Sequence, residues 1–373
     1  MELVKLGKVA DFINGKAFKP SDWEDKGKKI IRIQNLNDCS KPYNRTLQNV
    51  EDKYLVYPND ILVSWSASLG VFEWKDSEIA VLNQHIFKVV PDEKLICKPY
   101  LKYALDKSID LMLKYTHGST MKHINRQEFL NIEIPLPPIA SQRRIADILD
   151  KADEIIRKRK EAIALTEQLQ KSIFLDMFGD PVINPKGWEV NKVIDYCDCI
   201  VPGRDKPKSF TGSIPWITTA DLKFLDKTYF SNLNMKLSEN EIKEVNAKII
   251  PKNSVLLTCV GDLGVTSIAG CDMVVNQQLH SFQCKNINNY FLMYALPYQK
   301  IFMYKRATQT TVPYMNKNTC NSIPIIYPPR KLQEKFGILI AEINNKKGLY
   351  LKALQESENL FNSLLQKAFK GEL

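Results

Sequence analysis

Histidine is scarce in this chain, four in 373 residues, and none falls in an H-E-x-x-H or comparable metal-ligand spacing. No G-x-G-x-x-G follows a predicted strand and no G-x-x-x-x-G-K-S/T occurs, so neither S-adenosylmethionine nor ATP has an evident pocket. Eight cysteines are scattered, six of them in the second half, and no C-x-x-C has a partner at zinc-finger spacing. Cys197 and Cys199 form the closest pair, while Cys259, Cys271 and Cys284 sit among apolar strand-like residues and read as buried reduced thiols. No apolar run approaches the ~18 residues of a membrane span. The segment Met1–Gly7 lacks the apolar core of a signal peptide, and a soluble, cytoplasmic protein without membrane contact is expected. Asn184-Pro185-Lys186-Gly187 lacks the second proline and the aromatic residue of an amino-methyltransferase signature, and reads as a turn. Pro91-Asp92-Glu93-Lys94 lacks the carboxylate separation of a nuclease site and reads as a solvated turn. No residue earns a catalytic assignment.

What is present is an ordinary folding composition, 44% hydrophobic and 25% charged, at a length that suits two domains better than one core. The net charge of +10 favours a polyanionic partner, nucleic acid foremost, because lysine and arginine neutralise phosphates and release counterions.

The chain also repeats itself. Tyr103-Ala104-Leu105 returns as Tyr294-Ala295-Leu296, a shift of 191, and the same shift takes Pro137-Pro138 to Pro328-Pro329 and Gln142 to Gln333. Glu167, Leu169, Ser172 and Phe178 return as Glu358, Leu360, Ser363 and Phe369 without an insertion. Upstream the match continues with small shifts: Lys29–Asn35 with Ile214–Thr219, Tyr57–Ser64 with Ile250–Thr258, Leu69-Gly70 with Leu263-Gly264, and Asn83-Gln84 with Asn276-Gln277. Short Ile- and Val-rich runs bounded by Pro, Asn and Gly predict buried strands. Each half is then a mixed module, with a helix around 99–114 or 289–305 and a last strand at 132–134 or 323–326.

After each double proline the period changes. Ile145, Ile148, Leu149, Ala152, Ile155 and Ile156 recur at three- and four-residue steps, and Leu332, Phe336, Leu339, Ile340 and Ile343 do the same. Each stretch predicts a helix of ~38 residues, roughly 55–60 Å long at 1.5 Å per residue. Its apolar seam is too narrow for a globular core and calls for a partner helix. Antiparallel pairing of the two helices is the economical solution; the alternative is two helices that each pack on their own module. The expected fold class is therefore α/β (α+β): two similar domains, 1–137 and 180–328, separated by antiparallel coiled-coil helices at 138–179 and 329–373 in a pseudo-twofold repeat.

Pro135-Leu136-Pro137-Pro138-Ile139-Ala140-Ser141-Gln142-Arg143-Arg144-Ile145-Ala146 strongly resembles the start of the central spacer helix in specificity subunits of Type I restriction–modification systems. Ser172–Asp180 resembles the end of that helix, and Lys367-Ala368-Phe369-Lys370-Gly371-Glu372-Leu373 resembles the family's C-terminus. The layout of module, helix, module, helix matches along the whole chain. The second copy departs at Tyr327–Gln333, where a small residue commonly precedes the glutamine, and this bears on the partner contact made there. The resemblance implies a DNA-reading subunit without a catalytic centre, each target-recognition module reading one half of a bipartite target in double-stranded DNA. The helix pair would set the spacer and dock two methyltransferase subunits, which bring two restriction subunits. S-adenosylmethionine, ATP and Mg are then expected on those partners and no cofactor in this chain. Half-sites one turn apart lie roughly 34–36 Å apart, within reach of such a ruler.

Loops supply the candidate DNA contacts, since phosphates favour Lys, Arg, Ser, Thr and backbone amides, and base edges favour Arg, Lys, Asn and Gln. In the first module these are Lys16 and Lys19 of a basic loop, Arg32, Gln34 and Asn35 at a strand end, and Ser119, Thr120 and Lys122. Their counterparts are Arg204, Lys206 and Lys208, then Thr218 and Thr219, then Gln309, Thr310, Thr311 and Tyr314. The basic run Arg157-Lys158-Arg159-Lys160 shares its helix with many acids and reads as a solvated, salt-bridged face. Two other classes stay open at this point: a scaffold whose helices separate two protein-binding modules, and an enzyme acting alone.

Overall fold

The computed structural model describes residues 2–109, 113, 116–117, 123–203, 205–308 and 311–373. It divides into two compact units, Met1–Lys158 with Leu354–Leu373, and Arg159–Ala353. Each unit therefore combines one module with the first half of one long helix and the last half of the other.

In the first unit the apolar run Ile61–Ser64 is buried at all four positions, as a strand covered on both faces must be. It lies inside an antiparallel four-stranded sheet ordered Ala10–Asn14, Ile86–Pro91, Ile61–Ser64, Gly70–Glu73, with Phe12 opposite Val89 and Val89 opposite Ile61. A second sheet runs Arg45–Thr46, Lys28–Ile31, Ala80–Leu82, Leu55–Val56, in which Ile30 pairs Val81 in parallel. Leu3–Lys5 closes against Glu133–Pro135. The helix Lys98–Lys107 buries Tyr100, Leu101 and Tyr103 into a core that also takes in Ile145, Leu149, Leu365 and Ala368 of the long helices.

The second unit repeats this plan with one addition. Its main sheet has five strands, Cys197–Ile200, Leu279–Cys284, Val255–Thr258, Thr266–Ala269 and Lys227–Thr228, the last parallel to its neighbour. Ile214–Ile217 pairs Val274–Val275 in parallel, matching the first module's parallel pair. Glu189–Lys192 closes against Pro324–Tyr327. In both units an asparagine turns the chain into the central strand in the left-handed region, Asn59 at φ 69° and Asn253 at φ 70°, a conformation asparagine tolerates better than most residues. The helix expected across 289–305 is interrupted: Asn289–Ala295 gives way to a 3₁₀ turn at Leu296–Gln299 before Lys300–Arg306, because Pro297 has no N–H to continue the ladder. In the first module the segment Lys98–Lys107 is followed by a turn at Ser108, after which Ile109 and Leu113 are again helical, within the expected span.

The long helices run Ile139–Phe178 and Arg330–Lys370, 40 and 41 residues. The first stops at Gly179, whose φ of +76° suits a C-terminal cap. Within the second unit they are antiparallel: Gln170 Nε2 donates to Asn344 Oδ1 at 2.6 Å, and three residues earlier Glu167 meets Lys347, three residues later, at 3.4 Å. Lys347 is nearly buried and also reaches Asp226 at 3.3 Å, so the added strand connection is tied to the helix pair.

One side chain anchors each long helix to its module. Gln142 is fully buried; its Oε1 accepts from the Cys97 N–H at 2.9 Å, and its Nε2 donates to Leu95 O and Pro137 O. Gln333 repeats the arrangement with the Asn288 N–H and Pro328 O. Buried amides persist when their donors and acceptors are paired, which gives a physical reason for this pair of identities.

Candidate nucleic-acid interface

At one end of the sheets in the first unit, several loops converge through backbone hydrogen bonds. Asn83 N–H donates to Ile31 O, Trp65 N–H to His85 O, and Ile124 N–H to Trp65 O. The basic loop is latched to the same place: Gly15 N–H donates to Ile86 O, Lys16 N–H to Leu82 O, and Gln84 N–H to Lys16 O. A Cβ on Gly15 would stand 2.0 Å from Asn83 O, so only glycine lets the loop pass this close. Trp65 sits at the centre, its Nε1 donating to Asn14 Oδ1 at 3.1 Å and its ring 4.9 Å from the His85 ring. His85 is left-handed at φ 70°, and its Nδ1 has no hydrogen-bond partner among the described residues.

The second unit builds the same knot with other side chains. Asn276 N–H donates to Ile217 O, Cys259 N–H to Gln278 O, and Met315 N–H to Cys259 O. Gly261 N–H donates to Pro313 O and Thr308 N–H to Tyr314 O, which holds the feet of the 308–314 loop beside Cys259. Gln278 Oε1 gathers Asn276 Nδ2 at 3.1 Å and Thr219 Oγ1 at 3.4 Å, and Gln277 Nε2 reaches Asp205 O at 3.4 Å. Thus the positions held by Trp65 and His85 in one module are Cys259 and Gln278 in the other.

The residues expected to contact DNA fall unevenly on this frame. Lys16 is half-buried, with its Nζ on Gln48 Oε1, while Lys19 is exposed. Arg32 is half-buried, donates to Asn44 Oδ1 at 3.2 Å and lies 5.3 Å over the exposed Trp23 ring; Gln34 is exposed. Asn35 departs from its expected role. The strand ends at Ile31, a short helix spans Ile33–Asn37, and Asn35 is buried with its amide spent on Lys41 O, Pro42 O and the Arg32 N–H. It stabilises the turn and offers no group to a base. Thr218 is similarly occupied, its hydroxyl donating to Asp221 Oδ2 at 2.8 Å, and Thr219 faces Gln278. Lys206 and Lys208 are exposed with no ion-pair partner among the described residues, and Thr311 and Tyr314 are exposed. Ser119, Thr120, Lys122, Arg204, Gln309 and Thr310 lie outside the described residues. Trp23, Trp65 and His85 are not among the sequence-predicted contacts; the repeated Asn83-Gln84 and Asn276-Gln277 pairs are the signal that could have located this knot.

The knot displays amides, an imidazole, an indole and ammonium groups, a set suited to base edges and phosphates and not to bond making. A Cys–His–Asn grouping in the second unit does not change this. His280 Nε2 faces both Cys199 Sγ and Asn321 Oδ1 at 3.1 Å, burial pushes its pKa down to about 4, and burial pushes the Cys199 thiol up, so no thiolate is poised to attack. All eight cysteines are free; Cys259 is buried, and Cys271 and Cys284 are half-buried. Among the described residues no group of three or more His, Cys, Asp or Glu is placed to hold a metal, and no helix is long and apolar enough to cross a membrane.

The family model for the Type I restriction modification DNA specificity domain matches residues 1–165 and 185–357. The chain is 26% identical to the Type I restriction enzyme EcoBI specificity subunit of Escherichia coli, over 99% of this chain and 85% of that one. It is 22% identical to the MjaVIII specificity subunit of Methanocaldococcus jannaschii, over 100% of this chain and 92% of that one. In fold it is similar to the crystal structure of a Type I restriction–modification S subunit from M. genitalium, with a TM-score of 0.65 at 15% identity, covering 99% of this chain and 96% of the other.

Proposed function

Because the chain belongs to the family of Type I restriction–modification DNA specificity subunits, a DNA-recognition component and not an enzyme, we propose that each unit reads one half of a bipartite target. The observation that carries this reading is the loop knot, built twice on the same backbone hydrogen bonds and furnished with different side chains. A shared frame fixes where the reading groups stand, and divergent groups on it select different sequences. Lys19, Lys206 and Lys208 would anchor phosphates, and the residues around Trp65 and Gln278 would meet base edges.

On this reading the helix pair sets the spacer, because helices of fixed length joined in a fixed register hold a distance better than loops do. Two methyltransferase subunits dock on it and carry the restriction subunits. The repeat supports two matched docking points: Leu169 and Leu360 are both exposed, as are Ser172 and Ser363, so packing within the chain does not account for their shared identity. S-adenosylmethionine, ATP and Mg belong to the partners.

Co-expression with the cognate methyltransferase subunit, followed by genome-wide mapping of adenine methylation, tests the whole reading. Two short half-sites around one fixed gap are expected. A continuous motif, or a stable complex that methylates without sequence preference, would overturn it.

A further inference from the structure

Duplication makes the first module an internal reference for the second, and one hydrogen bond present in the first is missing from the second. Tyr103 is buried and its hydroxyl donates to Asp150 Oδ1 at 2.6 Å. Its repeat is Tyr294, 2% exposed, but the residue equivalent to Asp150 is Ala341. The Tyr294 hydroxyl is left buried with no hydrogen-bond partner among the described residues. A buried phenol without an acceptor is costly, and such groups in native proteins usually have an explanation.

The surroundings supply one. Tyr294 lines a groove of about 240 Å³ with Lys171, Phe224, Leu225, Pro297 and Tyr298. It adjoins a second groove of about 450 Å³ that shares Lys171, Phe224 and Leu225. Phe224 and Leu351 are nearly half exposed there, so the floor is apolar and open. Of the charged groups facing the grooves, Glu167 and Asp226 are both taken by Lys347. Lys171 and Lys223 are exposed, and neither ammonium has an ion-pair or hydrogen-bond partner among the described residues. Burial, with Asp226 and Glu167 close by, pushes the Tyr294 phenol pKa up, so it stays a donor. The site thus presents one donor without an acceptor, two cations without anions and an apolar floor.

We propose that this groove is a docking site for a partner subunit, which inserts a carboxylate beside an apolar side chain so that the carboxylate accepts from Tyr294 and pairs with Lys171. The partner's acid takes the place that Asp150 fills within the first module. The proposal rests on the reading that this chain assembles with a methyltransferase subunit. A charge-assisted hydrogen bond in a desolvated groove accounts for about a tenfold change in affinity or more.

The test uses the full-length chain and its cognate methyltransferase subunit, with Kd from calorimetric titration and Tm of the chain alone. Tyr294→Phe and Lys171→Glu are each expected to weaken binding about tenfold or more. Ala341→Asp restores the internal acceptor, and is expected to raise the Tm while also weakening binding. Carbodiimide treatment of the wild-type complex is expected to link Lys171 or Lys223 to an acidic residue of the methyltransferase. Wild-type affinity in all three variants, with no such link, overturns the docking site and leaves a hydrated phenol. A wild-type chain that does not bind the methyltransferase at all overturns the assembly reading, and this site falls with it.

Discussion

Replacing Gln142 by leucine removes the anchor of the first long helix with little change in volume. Three hydrogen bonds are lost, to the Cys97 N–H and to the Leu95 and Pro137 carbonyls. Each contributes about 1 kcal/mol net, and the stranded Cys97 N–H adds about 1–3 kcal/mol of unrepaid desolvation. Offset by the gain from burying a leucine, the expected loss is about 3–5 kcal/mol. The same change at Gln333 removes two bonds, to the Asn288 N–H and Pro328 O, and should cost about 2–4 kcal/mol by the same accounting. For a unit of this size, the larger loss lowers the Tm on the order of 10 °C. Hydrogen-exchange mass spectrometry separates the two units: the Gln142 variant should accelerate exchange in peptides around 95–105, and the Gln333 variant in peptides around 288–300. If either variant unfolds as the wild type does, within about 1 kcal/mol, the anchoring role is wrong.

Other outcomes follow from particular residues. His280 is held neutral with its pKa lowered to about 4, against about 6.5 when unfolded, so the unfolded chain binds the extra proton between those values. Stability is therefore complete above pH ~6.5 and declines by about 3 kcal/mol as pH falls to ~4; His280→Phe, the first module's residue, should abolish that slope in chemical denaturation at stepped pH. Glu241 accepts from the Ser209 hydroxyl, Ser238 and Thr211, which holds its carboxyl down to about 2. Its contribution is present above pH ~4.3 and lost as pH falls toward 2, so Glu241→Gln should lower the Tm at pH 7 and flatten the Tm–pH curve below pH 4. Lys206→Ala and Lys208→Ala should weaken DNA binding alike for all sequences and each reduce the slope of log K against log salt by about 1, measured by anisotropy. Trp65→Ala should relax the methylation motif in one half-site only; loss of both halves would contradict two independent readers.

Much of the architecture is legible in the sequence because it is local or repeated. The change from short apolar runs to steps of three and four marks where each long helix begins, and Gly179 marks where the first ends. Buried Ile–Val runs between Asn and Gly locate the central strands, and Asn59 and Asn253 announce their own turns. Composition and net charge point to nucleic acid, and the repeat places corresponding loops in two modules. What the sequence could not decide is which side chain a loop spends on itself. Asn35 is a good base reader by type, yet the carbonyls of Lys41 and Pro42 consume it, and Thr218 is consumed by Asp221.

The sequence by itself determined that this protein is a module and a long helix repeated once, because periodicity and duplication are properties of the chain that survive without coordinates. Tertiary structure alone decided the partners. Trp65 meets Asn14, and Lys347 meets Glu167 and Asp226, across separations that no local pattern encodes. It also decided that two repeated tyrosines differ, one satisfied by Asp150 and the other left beside Ala341 without an acceptor. The physical reason is that burial and hydrogen-bond pairing are settled by which groups packing brings together, and packing is a property of the whole fold.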